Sequence, residues 1–355
     1  MKRILTAILI ACILIAVAFA YLHHRQVEAQ RRQFDATSPL FSNAPAAAPP
    51  SASADHPAAL DLIHQLPAGA HAVAFADLAA LRKASFTNEL SALAPNSSQD
   101  PAYTQFVRET GFDYSRDLDR AAAAFWPETS ATSIVALAQG RFDESKIESY
   151  ALRNGGHRVK IRGTEVYEVP SQDSRLVRFT FLHAGEIAIA DGPAIAEILG
   201  PETSRLDSQM SARASAVSSA PVYAIARSQD FAKDLEIDAS KNSQLAALLR
   251  SIRSITAVGQ PVGENLNLSA SADCDSSVHA VELSTTLQGL LWMGRAALSD
   301  PKAQQQIGPQ WPALDALLKA ADISHSTHFV RLRLEVTQQI LRSAAAPPAN
   351  ATPPK

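Results

Sequence analysis

Ser133-Ile134-Val135-Ala136-Leu137-Ala138-Gln139 runs through Phe142-Asp143-Glu144-Ser145 into a segment with Ile147, Tyr150, Ala151 and Leu152 at helical spacing. A second stretch repeats the plan. Asn265-Leu266-Asn267-Leu268-Ser269-Ala270 runs through Cys274-Asp275-Ser276-Ser277 into Val278, Val281 and Leu283. In each, an Asp, Asp143 or Asp275, stands where a helix N-cap belongs and accepts from the orphan amides of the first turn. Each strand comes after another apolar run, Ala121 to Trp126 or Ile252 to Val258, closed by hairpin-type connections at Pro127-Glu128-Thr129 and Gln260-Pro261-Val262-Gly263.

Working outward, the strand Ala70 to Ala76 leads into a helix from Asp77 that carries Leu78, Leu81 and Phe86, and the strand Pro221 to Ala226 opens the second half. Strand, helix, strand, strand, helix, strand is the split βαβ order of ferredoxin-like folds. The first half adds strands at Arg158 to Ile161, Glu165 to Val169, Arg175 to Leu182 and Glu186 to Ala190, with Gly163 and Gly185 at turns. Val177, Phe179 and Phe181 alternate with Arg178 and Thr180, as a half-buried strand requires. The second half has helices at Leu287 to Leu298 and Trp311 to Ala320 and closes with the strand Phe329 to Leu334; Trp292 and Trp311, among Leu neighbours, read as core. The expected fold is α+β, with two related ferredoxin-like units of which the first has extra antiparallel strands.

Ahead of these units lies Met1-Lys2-Arg3 and then, from Ile4 to Leu22, no charged side chain. At about 1.5 Å per residue this run crosses a hydrocarbon core of about 30 Å. It reads as an N-terminal transmembrane anchor over residues 1–22. The competing reading is a signal peptide cleaved after Ala20, with Ala18-Phe19-Ala20 as its small-x-small site. Both place the body of the chain outside the cytosol, on the periplasmic side of a cell membrane or secreted from it. Arg25, Arg31 and Arg32, with His23 and His24, weaken the charge contrast across the run. A lipoprotein reading at Cys12 fails because apolar residues continue from Ile13 to Leu22.

The organisation expected is an anchor or signal over 1–22, a disordered Ala/Pro/Ser-rich tether over 23–58, units over 59–202 and 221–342 joined by a linker over 203–220, and a disordered tail over 343–355. With 46% hydrophobic and 19% charged residues, the middle is globular. A net charge of −3 leaves no bulk basicity to neutralise phosphates, so nucleic acid is not expected as a partner. Cys12 and Cys274 are the two cysteines, and with Cys12 in the leader no intramolecular disulfide is expected. Flanked by Asp273 and Asp275, Cys274 has its thiolate disfavoured by like charge and reads as inert.

Candidate chemistry is sparse. His325-Ser326-Thr327-His328 has metal-like spacing only on a helix, and here it precedes a strand. His56, His64 and His71 fall at irregular intervals. Ser299-Asp300-Pro301-Lys302 and Ser240-Lys241-Asn242 echo elements of penicillin-binding enzymes, but their order is reversed and Lys-Thr-Gly is missing. Asp113, Asp117 and Asp119 form the densest acidic cluster, yet Arg116 and Arg120 interleave it and no EF-hand glycine or distal Glu is in place. A solvated, salt-bridged approach to the Ala121 strand is the preferred reading. No nucleophile elbow, P-loop or dinucleotide fingerprint occurs. No catalytic, cofactor or metal residue is therefore assigned.

Phe112-Asp113-Tyr114-Ser115-Arg116-Asp117-Leu118-Asp119, Gly140-Arg141-Phe142-Asp143 and Gly163-Thr164-Glu165-Val166-Tyr167 resemble segments of uncharacterised bacterial membrane-anchored envelope proteins with tandem α+β repeats. The resemblance covers Leu60 to Leu341 in outline and implies an envelope location and a two-unit fold. It brings no catalytic residue. The function expected is a non-enzymatic, bilayer-tethered protein presenting two α+β units to an envelope component. The alternatives are a small-molecule or lipid-binding module using a cleft between the units, and a hydrolase with a dispersed site drawn from His157, His183 and Asp191.

Overall fold

The computed structural model describes residues 62–85, 101–127, 132–170, 176–191, 194–199, 206–227, 243–302, 304 and 311–345. The leader, the tether, Phe86 and Ser240-Lys241-Asn242 lie outside these, as does all of the expected tail beyond residue 345. Among the described residues no helix is long and apolar enough to cross a membrane.

The described residues hold twelve strands: β1 (Ala72–Asp77), β2 (Leu118–Pro127), β3 (Thr132–Gly140), β4 (His157–Ile161), β5 (Thr164–Pro170), β6 (Leu176–His183), β7 (Glu186–Asp191), β8 (Val222–Arg227), β9 (Ile252–Val262), β10 (Asn265–Cys274), β11 (Asp322–Ser326) and β12 (Phe329–Val336). They make one sheet in the order β11-β12-β10-β9-β8-β1-β2-β3-β7-β6-β5-β4. Every pairing is antiparallel.

This corrects the expectation of two ferredoxin-like units. A split βαβ motif inserts another strand between its first two; here β1 pairs directly with β2 and β8 with β9. The second edges of β1 and β8 then bond each other, with Ala74 opposite Ala224 and Phe75 opposite Tyr223. The physical reason is edge disposal. Two separate units would each expose the amides and carbonyls of an apolar strand, whereas joining them satisfies both rows. The halves nevertheless share a succession of pairings, β1-β2-β3-β7 in one and β8-β9-β10-β12 in the other.

The helices are α1 (Leu78–Lys83), α2 (Pro101–Thr110), α3 (Tyr114–Asp117), α4 (Glu144–Arg153), α5 (Ile195–Ile198), α6 (Ser208–Val217), α7 (Ser243–Arg250), α8 (Ser277–Leu298), α9 (Trp311–Ala320) and α10 (Gln338–Ala345). Segment 203–220, expected as a linker, holds α6, whose Met210 and Ala214 are buried. The first residues of the expected tail end α10.

Register and alternation sort the side chains into two faces. Val73, Phe75, Tyr223 and Ile225 point to the front, where they pack with Leu62, Ile63, Leu66, Ile195 of α5 and Met210 of α6. Phe75 and Tyr223 stack there with ring centroids 5.3 Å apart. On the back of the first half, Phe112, Ile147 and Ala151 cover Ala138, Tyr167, Phe179 and Ile187. On the back of the second half, α7 and α8 cover Ala272 and Val330, and Leu317 of α9 and Ile340 of α10 pack with Leu268 and Leu334.

The back-face helices are capped locally. Asp143 is the N-cap expected for α4 and accepts from Lys146 N. For α8 the cap is Ser276, accepting from His279 N, and not Asp275. The buried side of α8 is Ala280, Leu283, Ser284 and Leu298, while Val278 and Val281, grouped with Leu283 in the sequence, are exposed.

Candidate functional site

The second half lacks a front layer among the described residues. On β10, Leu266, Leu268, Ala270 and Ala272 face back, and Asn267, Ser269, Ser271 and Asp273 face front. On β12, Val330, Leu332, Leu334 and Val336 face back, and Phe329, Arg331, Arg333 and Glu335 face front. Thr256 and Val258 of β9 continue the same rows through Ser271 and Ser269.

These front residues are partly or fully exposed. Arg331 Nε reaches Ser271 Oγ at 3.5 Å, and Asn265 Nδ2 donates to Glu335 Oε1 at 2.5 Å. Where α6 ends its cover, Arg213 donates to Asp273 at 2.8 Å and Arg227 lies 2.8 Å from Asp207, a charged margin between the apolar front and the polar one. The result is an open, hydrogen-bonding strand surface of mixed charge, in which Arg331 and Arg333 of β12 stand opposite Ser324 and Asp322 of the edge strand β11. It suits contact with a polar partner and holds no nucleophile paired with a base.

The acidic cluster is an ion-paired clamp at the start of β2. Asp113 caps α3, accepting from Ser115 N at 2.9 Å and from the Tyr103 hydroxyl at 2.8 Å. Asp117 Oδ2 accepts from Asp113 N at 3.0 Å and from Arg116 at 2.7 Å, and Arg141 lies 3.4 Å from its other oxygen. Asp119 takes Arg82 at 2.6 Å.

The cluster is salt-bridged as expected and its Arg116 and Arg141 side chains are solvated, but the Asp117 side chain inside it is only 10% exposed. The hydrogen bond from Arg116 lowers the Asp117 carboxyl to about 2 against its burial. Burial pushes Asp113 up, but bonds from Ser115 and Tyr103 outweigh it and leave the carboxyl below its ordinary range. Gly140 is required at the exit of β3, because a Cβ there would collide with the Asp117 carbonyl. With the Asp117 and Asp119 carboxylates matched to arginines, the cluster offers no cation site.

The remaining candidates are dispersed. His157 on β4 lies 2.8 Å from Glu168, which also takes Arg178 at 2.5 Å. His183 sits opposite Glu186 and Asp191 opposite Val177, at the two ends of the β6-β7 hairpin. With five residue-to-residue steps from 186 to 191, those ends are about 17 Å apart along the strand, so His183 and Asp191 do not meet. His325 lies in β11 and His328 in the turn after it, and no group of three or more His, Cys, Asp or Glu fit to hold a metal occurs among the described residues.

Ser299 Oγ donates to Arg295 O, and Lys302 N to Asp300. Cys274 is buried, and burial first, then Asp273 and Asp275, pushes its thiol up to about 11. Sequence reasoning missed the Asp275–His279 contact at 2.5 Å, which raises the imidazole above its ordinary range. It also placed Trp292 in the core, whereas the side chain is 70% exposed.

Compared with protein families and with curated proteins, the chain matches none. Among solved structures, crystal forms IV, III and I of TP0453 align with TM-scores of 0.46, 0.45 and 0.43 at 8%, 10% and 10% identity. The alignments cover 81%, 80% and 82% of this chain and 97%, 97% and 99% of those. No residue role transfers at that distance.

Proposed function

We propose that the chain is a non-enzymatic protein tethered to a bilayer by Ile4–Leu22, with its folded part outside the cytosol, and that it receives a polar envelope component on the open front of β9, β10 and β12. The observation that carries this reading is the bare front among the described residues: Ser269, Ser271, Arg331 and Arg333 stand where the first half packs Val135 and Ala190. A protein partner is the favoured occupant, because strand-borne hydroxyls and guanidinium groups form a broad surface and not a concave pocket.

The test is affinity capture with the full chain from envelope extracts, against an Arg331→Glu, Arg333→Glu variant. One partner recovered by the native chain and lost with the variant is the expected result. Equal recovery by both, or none at micromolar concentration, overturns the reading. Intact mass of the membrane-bound protein separates a retained anchor from cleavage after Ala20.

The alternative of a ligand cleft between two units is disfavoured by the junction itself, where β1 and β8 are hydrogen-bonded neighbours with stacked Phe75 and Tyr223. The dispersed-hydrolase alternative is disfavoured by the separation of His183 from Asp191.

A further inference from the structure

From Leu283 onward α8 is uncharged on its outer side, whereas nearer its N-terminus a partly exposed His279 and an exposed Glu282 stand beside Val278 and Val281. Its inner side packs on the sheet, and its outer side presents Trp292 at 70% exposure, Val278 at 62%, Leu290 at 46%, Val281 at 45% and Met293 at 43%. From Leu283 to Leu298 the single charged residue is Arg295, and its guanidinium turns aside to donate to Leu318 O and Ala321 O, each at 2.8 Å. The outward arc of these four turns therefore carries no charge. An uncharged arc with an exposed indole calls for cover, and nothing among the described residues covers this one.

We propose that the outward arc of α8 rests on the surface of the same bilayer that Ile4–Leu22 enters, which turns the open front of the sheet away from lipid. This rests on the tethered reading above. Residues 23–61 separate the apolar run from the first described residue, and a chain of that length reaches at most about 130 Å. α8 is itself about 33 Å long, so it lies within reach of that membrane and its landing becomes intramolecular.

The composition fits lipid. An exposed indole beside Leu and Met is the side-chain set of an interfacial helix, and no carboxylate between Glu282 and Asp300 opposes an anionic headgroup. α8 covers the back of the sheet, so a membrane against its outer side leaves Arg331 and Arg333 facing the aqueous compartment.

The full chain reconstituted through its leader into phosphatidylethanolamine/phosphatidylglycerol vesicles, with and without brominated acyl chains, tests this by tryptophan emission. Two variants serve as controls: Trp292→Phe, at an exposed site, and Gly289→Asp, where an added Cβ meets nothing within 4 Å. Quenching by brominated lipid that disappears with Trp292→Phe and weakens more than twofold with Gly289→Asp is the expected result. Unquenched emission open to aqueous iodide overturns the proposal. Shielding from iodide without lipid quenching also overturns it, in favour of a second copy or another protein. Flotation separates the failures: a chain that floats with vesicles yet shows no quenching sinks only the α8 contact, whereas one that does not float sinks the tether and the proposal with it.

Discussion

The N-terminal and C-terminal halves of the sheet pair their strands in the same succession, yet among the described residues one is covered on both faces and the other on its back alone. The difference reduces to a few front-facing positions. β3 presents Val135 and Leu137, both fully buried, where β10 presents Ser269 and Ser271. Backbone pairing is indifferent to that exchange, because the ladder bonds do not involve side chains. The layer above is not indifferent: α5, α6 and the helical turn at 62–64 settle on the apolar front and stop at the Arg213–Asp273 margin. Strand order and layer architecture are thus set by separate features of the chain.

Breaking the covered front gives the largest expected effect. Leu137→Ala leaves a cavity between the sheet and its helices and costs about 2–5 kcal/mol in urea unfolding. A loss under about 1 kcal/mol would mean that the first half is no better packed than the second.

The clamp at β2 comes next. Asp117 is held near 2, below its ordinary carboxylate value of 3.8, so its contribution of about 2 kcal/mol is present above the unfolded value and is lost as pH falls through the folded one. Unfolding midpoints measured from about pH 6 down to about pH 2 should show this acid loss in the native chain and a flatter profile in Asp117→Asn.

Tyr223→Phe is smaller. The buried hydroxyl has no hydrogen-bond partner among the described residues, so removing it is expected to be neutral or stabilising by up to about 1 kcal/mol in the same assay. Destabilisation would show that the hydroxyl is satisfied. Ser271→Val is smallest. It makes the open front resemble the covered one without supplying a layer, and stability should stay within about 0.5 kcal/mol while partner capture falls.

Much of the sheet was legible. The alternation in β10 and β12, the turn at Gly163 and the Asp143 cap follow from local rules that neighbours do not override. Strand partners were not legible, because the order of elements leaves open which edges meet, and the β1-β8 bond joins residues remote in sequence. Phase failed in α8 for a different reason. A helix with Val278, Val281, Leu290 and Trp292 outside and Ala280 and Leu283 inside mixes apolar side chains into its solvent side beside His279, Glu282 and Thr285, so no clean stripe separates the faces. The candidate site was half visible: sequence alternation identifies a polar strand face, but only the fold shows that no described residue covers it. At the acidic cluster the residues were found and their burial was missed, since Arg82 and Arg141 arrive from distant segments.

The central β1-β8 ladder also has a kinetic side. About 150 residues separate its two strands, so a ribosome delivers β1 long before its partner exists. Until Val222–Arg227 emerge, Ala72–Asp77 is a sticky border with unanswered amides, open to capture by a chaperone or by the same strand of a sister molecule. Refolding from denaturant should therefore yield less monomer as protein concentration rises, with strand exchange at this one ladder as the trap.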